Sequence, residues 1–172
     1  MAEAALCATA HDDLALVSLA SRRGRGAALA AALRAASGMV LPMPGKWTAA
    51  GDGAVIGTAP DQWLVLQPGD DGTLFARLEE MAGGHGLLID LSQARVALRV
   101  AGTGARDVLA RCLPIDLHPR AMQPGGAAAT VAAHVPVMIR QLDAVPTYEL
   151  LVARSFAASL RRVLDLAGLP IA

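Results

Sequence analysis

The chain has 172 residues, of which 54% are hydrophobic and 17% are charged, so disorder is disfavoured and a single domain of ordinary size, residues 1–172, is expected. Its 15 basic and 15 acidic residues give a formal net charge of zero, which argues against a nucleic-acid partner because nucleic-acid-binding proteins usually carry a basic excess. No apolar run approaches the roughly 18 residues needed to cross a membrane, and the first residues lack the basic start of a signal peptide, so we expect a cytoplasmic protein without a membrane partner.

The first half of the chain alternates apolar runs with glycine-containing turns. Residues 1–12 show no clear pattern and are expected to be a loose lead-in, whereas the apolar run 14–20 predicts a strand. The alanine-rich stretch 27–36 predicts a helix that ends at Gly38, and two prolines make residues 41–47 irregular. The pattern then predicts strands at 54–58 and 63–67, a helix at 70–82 and a strand at 86–91.

The predicted strand at 86–91 reads GLLIDL and is apolar almost throughout. Such a run is typical of a strand with neighbours on both sides, so we expect it at the centre of its sheet. Asp90 is then expected to be buried, and Ser92 is a candidate partner for its carboxylate.

The second half repeats this alternation. Residues 95–100 alternate branched apolar with charged or small side chains, which predicts a strand with Val96, Leu98 and Val100 toward the core. Apolar residues at helical spacing predict a helix from Ala105 to Cys112, ended by Pro114. Strands are predicted at 127–133, 135–140 and 147–153. A last helix with Ser155 as its N-cap follows, and its expected core residues are Phe156, Leu160, Val163, Leu164 and Ala167.

The two halves, about 13–91 and 94–168, resemble each other. Residues 59–66 resemble residues 145–152, and each segment leads into an amphipathic helix. Both halves read β-α-β-β-α, the order of split β-α-β units whose helices cover one face of a sheet. The sequence therefore predicts an α+β fold of two tandem ferredoxin-like half-units.

A basic turn is the first candidate binding element. Arg22, Arg23 and Arg25 stand beside two glycines, whose backbone N–H groups are free to meet a phosphate or a carboxylate. The spacing matches no P-loop, so a solvated turn between strand and helix is the alternative. The two cysteines, Cys7 and Cys112, fit no zinc spacing and are expected to be reduced thiols, and the four histidines form no ligand cluster.

The polar loop 115–120 is the second candidate. Asp116 and His118 lie two residues apart and are compatible with an acid–base couple. The alternative is a loop whose polar side chains bind its own backbone or meet another chain, which the lack of a nearby nucleophile favours. Asp143 is interpreted as a surface ion-pair partner of Arg140. Residues 102–104 (GTG) lack the third glycine of a dinucleotide fingerprint and predict a turn.

A set of short segments, mostly in the second half of the chain, carries a family resemblance. The segments are 90–95, Gly102, 105–109, 112–120, 124–125, 135–137 and 146–150, with a weaker match at 63–64. The most specific part is the run CLPIDLHPR at 112–120. In these segments, over about residues 86–165, the sequence resembles the gamma subunit of heterotetrameric sarcosine oxidase.

The resemblance implies a fold similar to the folate-binding domain of glycine-cleavage aminomethyltransferases. It implies an accessory chain without catalytic residues in an enzyme that converts sarcosine to glycine with hydrogen peroxide as co-product and passes the one-carbon unit to tetrahydrofolate. The implied partners are the alpha, beta and delta subunits, which hold FAD, FMN, NAD, tetrahydrofolate and zinc, and none of these cofactors is expected on this chain. Arg95, Asp116, His118 and Arg120 are candidate subunit-interface residues.

Two further hypotheses remain open at this point. The first is a free-standing folate-binding or one-carbon-transfer domain, which would bind a pteridine-glutamate ligand through the basic turn or through the loop with Asp116 and His118. The second is a scaffold for an unrelated complex. An accessory subunit is expected to expose a large apolar patch, whereas a free-standing folate binder is expected to be stabilised by folate.

Overall fold

A computed structural model describes residues 6–11, 13–69 and 72–169. Strands β1 to β10 of these residues are Cys7–His11, Leu14–Ser21, Trp47–Ala50, Gly53–Ala59, Gln62–Pro68, Gly86–Asp90, Arg95–Ala101, Ala127–Ala132, Val135–Gln141 and Tyr148–Ala153. Helices α1 to α4 are Gly26–Ser37, Leu74–Ala82, Ala105–Cys112 and Ala157–Leu166. None of the helices in the described ranges is long and apolar enough to span a membrane.

The chain packs into two compact units. The first unit comprises the described part of residues 13–93, and its sheet has the strand order β3-β4-β5-β2-β6, with every pairing antiparallel. Alternate residues of a strand point to opposite faces, and α1 and α2 pack on one of them, called here the helical face. The core on this face consists of Val17, Leu19, Leu29, Leu33, Met39, Val55, Trp63, Val65, Leu74, Leu78 and Ala82.

The second unit comprises residues 6–11 and 94–169, and its sheet has the order β8-β9-β10-β7-β1. Helices α3 and α4 pack on its helical face. The core there is built from strands β7, β9 and β10 and the two helices, and includes Val96, Leu98, Val100, Leu109, Ile139, Tyr148, Leu150, Leu160 and Leu164. The face of either sheet that does not bear the helices is called the reverse face.

The two sheets have the same topology, and this confirms the predicted α+β fold of two ferredoxin-like units. Strands β2 and β7 each lead into the first helix of a unit, and the strand after the second helix of the first unit, β6, pairs antiparallel with β2. In the second sheet the corresponding place beside β7 is taken by β1, from the start of the chain. The expectation of a loose lead-in over residues 1–12 is therefore wrong for Cys7–His11. The prediction that residues 1–172 fold as one domain stays a prediction.

The expectation that the strand at 86–91 lies at the centre of its sheet is wrong. Strand β6 lies at the sheet edge, with β2 as its one strand neighbour within the described ranges, and the side chains of Leu87 and Ile89 are 50% and 62% exposed. An apolar run shows that a strand avoids water on at least one face, but it does not show how many strands flank it. Asp90 is also exposed rather than buried, although Ser92 is its hydrogen-bond partner as predicted.

Two element boundaries also differ from expectation. Ser155 does not cap α4, because Arg154–Phe156 forms a turn of 3-10 helix and α4 begins only at Ala157, which leaves Phe156 45% exposed. Helix α2 begins at Leu74 instead of residue 70, while residues 70 and 71 lie outside the described residues. Strand β3, at Trp47–Ala50, was not predicted.

The proline-containing segment before β3 is irregular, as predicted, but it is held firmly. The indole N–H of Trp63 donates to the carbonyl of Pro42 at 2.9 Å, and the hydroxyl of Thr48 donates to the carbonyl of Val40 at 2.8 Å. Gly57 on β4 pairs with the segment by donating to Lys46 at 2.9 Å and accepting from Gly45 at 3.0 Å. A side chain at position 57 would collide with the backbone of Met43, so the close approach requires glycine there.

Candidate functional site

The loop after α3 alternates buried anchors with exposed polar side chains. Leu113, Leu117 and Met122 are buried in the core of the second unit, whereas Asp116 and His118 between them are exposed. The anchors fix the path of the backbone, so the polar side chains project from a defined framework.

Hydrogen bonds join the polar residues of this loop to its own backbone. The carboxylate of Asp116 accepts from the backbone N–H of His118 at 2.8 Å, and Nδ1 of His118 accepts from the backbone N–H of Arg120 at 3.2 Å. The carbonyl of His118 accepts from the N–H groups of Ala121 and Met122. Because Nδ1 accepts, the neutral imidazole carries its proton on Nε2. These bonds match the alternative in which the side chains hold the loop, rather than an acid–base couple.

The four candidate interface residues do not form one hydrogen-bonded group. Asp116, His118 and Arg120 are linked through the loop, and all three are exposed. Arg95 is half-buried at the first position of β7, opposite Ala153 of β10, and its carbonyl accepts from the guanidinium of Arg154 at 3.5 Å.

The basic turn of the first unit faces a carboxylate. Arg22, Arg23 and Arg25 are exposed, and the turn is closed by the N–H of Arg25 donating to the carbonyl of Arg22 at 2.8 Å. A Cβ atom added to Gly26, the first residue of α1, would lie 2.6 Å from a carboxylate oxygen of Asp61. A phosphate or carboxylate ligand at this helix start would meet the negative charge of Asp61, so the geometry favours a solvated turn.

A charged row crosses the reverse face of the second sheet. Glu149 on β10 lies between Arg99 on β7 and Arg140 on β9. Its carboxylate accepts from Arg140 at 2.5 and 2.7 Å and from Arg99 at 3.3 Å. The side chains of Arg140 and Glu149 are only 9% and 4% exposed, whereas that of Arg99 is 41% exposed.

The expected surface ion pair between Arg140 and Asp143 is therefore wrong. The side chain of Asp143 instead accepts from the backbone N–H of Thr147 at 3.1 Å. Arg140 and Glu149 are directly opposite each other on the antiparallel pair β9–β10, and this cross-strand relation was the signal that reading the residues singly missed.

Burial and local bonds shift four pKa values. Burial lowers the pKa of Arg140, and the charge of Glu149 opposes that shift. Burial raises the pKa of Tyr148, against the neighbouring Arg106, whose Nε donates to the phenol oxygen at 3.1 Å. Burial also raises the pKa of Cys112, and the hydrogen bonds from Ser92 lower the pKa of Asp90. The shifts accompany structural contacts, so none of these groups is marked as an acid or base by its environment alone.

A cavity of about 380 Å³ lies in the first unit, between the end of α1, the β3–β4 turn and α2. Its lining combines buried Met39 and Leu74 with polar Asp52, Gln67 and Arg77, and the guanidinium of Arg77 donates to the amide oxygen of Gln67 at 2.6 Å. Sequence reasoning did not find this cavity, because its lining comes from four separate elements.

Comparison with known proteins identifies the family. A model described as "Sarcosine oxidase, gamma subunit family" matches residues 23–168. The chain belongs to this family. The resemblance seen over about residues 86–165 is thereby confirmed.

Curated gamma subunits align with part of the chain. A sarcosine oxidase subunit gamma of an Arthrobacter species is 39% identical over 116 residues, which cover 66% of this chain and 57% of that relative. One from Corynebacterium sp. strain P-1 is 37% identical over 87 residues, covering 50% and 42%. The chain thus matches about half the length of these curated relatives.

Solved structures extend the similarity to nearly the whole chain. A chain of the heterotetrameric sarcosine oxidase from Corynebacterium sp. U-96, in complex with pyrrole 2-carboxylate, has a TM-score of 0.82 and 28% identity, covering 98% of this chain and 86% of that one. Aminomethyltransferase T of the Bartonella henselae glycine cleavage system has a TM-score of 0.72 and 16% identity, covering 99% and 48%. The latter likeness confirms the aminomethyltransferase-like fold that the resemblance implied.

Proposed function

We propose that this chain is an accessory, non-catalytic subunit of a cytoplasmic sarcosine oxidase complex. Its partners are the alpha, beta and delta subunits, and the complex converts sarcosine to glycine and hydrogen peroxide while the one-carbon unit passes to tetrahydrofolate. The observation that carries the proposal is the match of 98% of this chain to a chain of a solved heterotetrameric sarcosine oxidase at 28% identity.

The chemistry of the candidate loop supports a non-catalytic role. The carboxylate of Asp116 and the Nδ1 of His118 both bind backbone N–H groups of their own loop. A general base needs an acceptor atom available to the substrate, and here these acceptor positions hold the loop in shape.

The residues of this chain offer a poor fit to the cofactors of such an enzyme. Among the described residues, no three His, Cys, Asp or Glu side chains come together as a possible metal site. The turn at 102–104 joins β7 to α3 without the third glycine of a dinucleotide fingerprint. In this proposal FAD, FMN, NAD, tetrahydrofolate and zinc are therefore bound by the other subunits.

The loop side chains Asp116, His118 and Arg120, together with Arg95, are the proposed subunit-interface residues. A loop that is already fixed loses little conformational entropy on association, so it suits a contact between subunits. Replacing Asp116, His118 and Arg120 together by Ala is expected to weaken assembly about tenfold or more, measured by co-purification at graded concentrations. Arg162→Ala, an exposed change on α4, serves as control. Full assembly of the triple variant would contradict this assignment.

The function itself is tested by purifying the tagged chain from its native cells grown on sarcosine. We expect larger chains to co-purify, a yellow flavin absorption spectrum, and hydrogen peroxide production that depends on sarcosine. A colourless protein without companions would contradict the proposal. Titration with tetrahydrofolate, followed by thermal unfolding, would then test the free-standing folate-binding alternative, since a ligand of the native state raises the unfolding temperature.

A further inference from the structure

Strand β6 presents an open edge of the first sheet. Its only strand neighbour among the described residues is β2. Two backbone hydrogen bonds flank this pairing: the N–H of Leu91 donates to the carbonyl of Leu16, and the N–H of Arg22 donates to the carbonyl of His85. Because hydrogen-bonded pairs alternate along antiparallel strands, the odd-numbered residues of β6 bond toward β2. The backbone groups of Leu88 and Asp90 therefore point outward, where a further strand would bind.

The side chains of β6 set it apart from the other edges. The edge strands β1, β3 and β8 consist mainly of alanine, threonine and other small residues, and the only large apolar side chain that they expose strongly is Val131, at 42%. On β6, Leu87 and Ile89 lie on one face and are 50% and 62% exposed. Natural proteins protect exposed edges with lysine, proline or a bulge. Strand β6 has none of these, and its register with β2 is regular.

We propose that an extended segment of another subunit of the sarcosine oxidase complex adds to the outer edge of β6 as a sixth strand. The inference rests on the proposed function. It also accounts for the composition of residues 86–91, which is typical of a strand with two neighbours, whereas the described part of the chain supplies one. In the complex β6 becomes an interior strand, with main-chain bonds to the partner supplying affinity and Leu87 and Ile89 supplying an apolar contact.

The charge at one end of the strand defines the partner segment further. Asp90, the last residue of β6, is exposed. The complementary segment alternates apolar side chains and carries a basic residue beside Asp90.

Amide hydrogen exchange tests the strand addition directly. The isolated chain and the assembled complex are compared by mass spectrometry with fragmentation, so that single amides are resolved. The amides of Leu88 and Asp90 are expected to exchange about 100-fold more slowly in the complex, because they gain strand partners there. The amides of Leu87 and Ile89, which bond toward β2, are expected to be protected in both states.

Surface variants test the apolar contact. Leu87→Lys and Ile89→Lys place charges where the partner segment packs, and each is expected to weaken assembly about tenfold or more while leaving the free chain folded. Leu166→Lys is the matched control, since Leu166 is 79% exposed but lies on α4 of the second unit. Equal loss with the control variant would overturn the proposal.

The outcomes separate this inference from the proposed function. A wild-type chain that fails to join the other subunits would overturn both. A wild-type chain that assembles while Leu88 and Asp90 exchange as fast as in the free chain would overturn the strand addition alone. Protection that appears in the free chain together with a dimer would show that a second copy, and not another subunit, occupies the edge.

Discussion

The two sheets share one strand order but differ in the chemistry of their reverse faces. In the first sheet, the centre of a cross-strand row on this face consists of Ser18, Leu64 and Ile56, none of which is charged. In the second sheet, the central row consists of Arg99, Glu149 and Arg140, and the carboxylate lies between the two guanidinium groups.

This difference between the reverse faces shows which residues specify the fold. Both helical faces are apolar and closely similar, so the shared topology follows from that pattern. The charged row is not needed for the fold, because the first sheet forms without one. A buried ion pair also loses its hydration, which offsets much of the attraction between the charges, and the lowered pKa of Arg140 reflects that cost. The row stabilises the second sheet only while all its members are present.

Removing the carboxylate of Glu149 is expected to have the largest effect on stability among the changes that test this comparison. Glu149→Gln keeps the shape of the side chain but removes the negative charge that Arg140, which is 7% exposed, contacts on β10. We expect the free energy of unfolding to fall by about 3–5 kcal/mol, measured by urea denaturation. Glu80→Gln, an exposed change on α2, is expected to cost less than about 0.5 kcal/mol.

Replacing both residues of the buried ion pair tests whether the charged row adds net stability. Arg140→Met combined with Glu149→Leu removes both buried charges and gives the second sheet the apolar character of the first. We expect this double variant to be at least as stable as Glu149→Gln, with most of the loss recovered. If the double variant were the less stable of the two, the charged row would itself be a source of net stability.

In the first unit, a hydrogen bond between two uncharged groups joins Trp63 on β5 to the proline-containing segment. Trp63→Phe removes the indole N–H that donates to the buried carbonyl of Pro42. We expect the free energy of unfolding to fall by about 1–3 kcal/mol, because that carbonyl loses its partner. Phe75→Leu is the control, since Phe75 is half-buried against the same core and its side chain has no hydrogen-bonding group. An equal effect of the two changes would show that side-chain size, and not the bond, matters.

Replacing Tyr148, the only tyrosine of the sequence, is expected to have the smallest effect on the free energy of unfolding, and this effect depends on pH. Its pKa is raised by burial in the folded state, so the unfolded chain releases the phenol proton first. The stability associated with this group is fully present below the ordinary pKa of about 10 and is lost as pH rises beyond it. Tyr148→Phe is expected to cost about 0.5–1.5 kcal/mol at neutral pH and to flatten the alkaline loss. Absorbance of the phenolate, which has this single source, measures the folded-state pKa. A midpoint at or below 10 would contradict the shift.

Local sequence patterns predicted those helices and strands whose own residues show a clear periodicity of apolar side chains. Strand β7 shows clean alternation, and helix α3 shows apolar spacing between a glycine turn and a proline. Strand β1 has only small and polar residues and becomes a strand because β7 pairs with it about ninety residues later. The resemblance between residues 59–66 and 145–152 set Trp63 against Glu149, which lie on opposite faces of their sheets. Trp63 and Tyr148 are the residues that both lie on a helical face.

The candidate site was predictable to a similar extent. The sequence singled out Asp116 and His118 correctly as a polar loop, and it left open the reading in which they bind their own backbone. It did not reveal the bonds of Glu149 to Arg99, because residues fifty positions apart are brought together only by strand pairing. The role of Arg95, Asp116, His118 and Arg120 at an interface stays a prediction.

The position of β1 has a consequence for the timing of synthesis. This strand leaves the ribosome before the whole first unit, yet its partner β7 begins only at Arg95. At about 5–20 residues per second, β1 waits roughly 5–20 seconds for β7 to be made. The first unit contains all five strands of its own sheet, and its last strand, β6, is complete at Asp90, before β7 begins. The first unit is thus expected to fold before β1 pairs with β7. A pause in translation after residue 93 would lengthen the time during which Cys7–His11 has no strand to pair with.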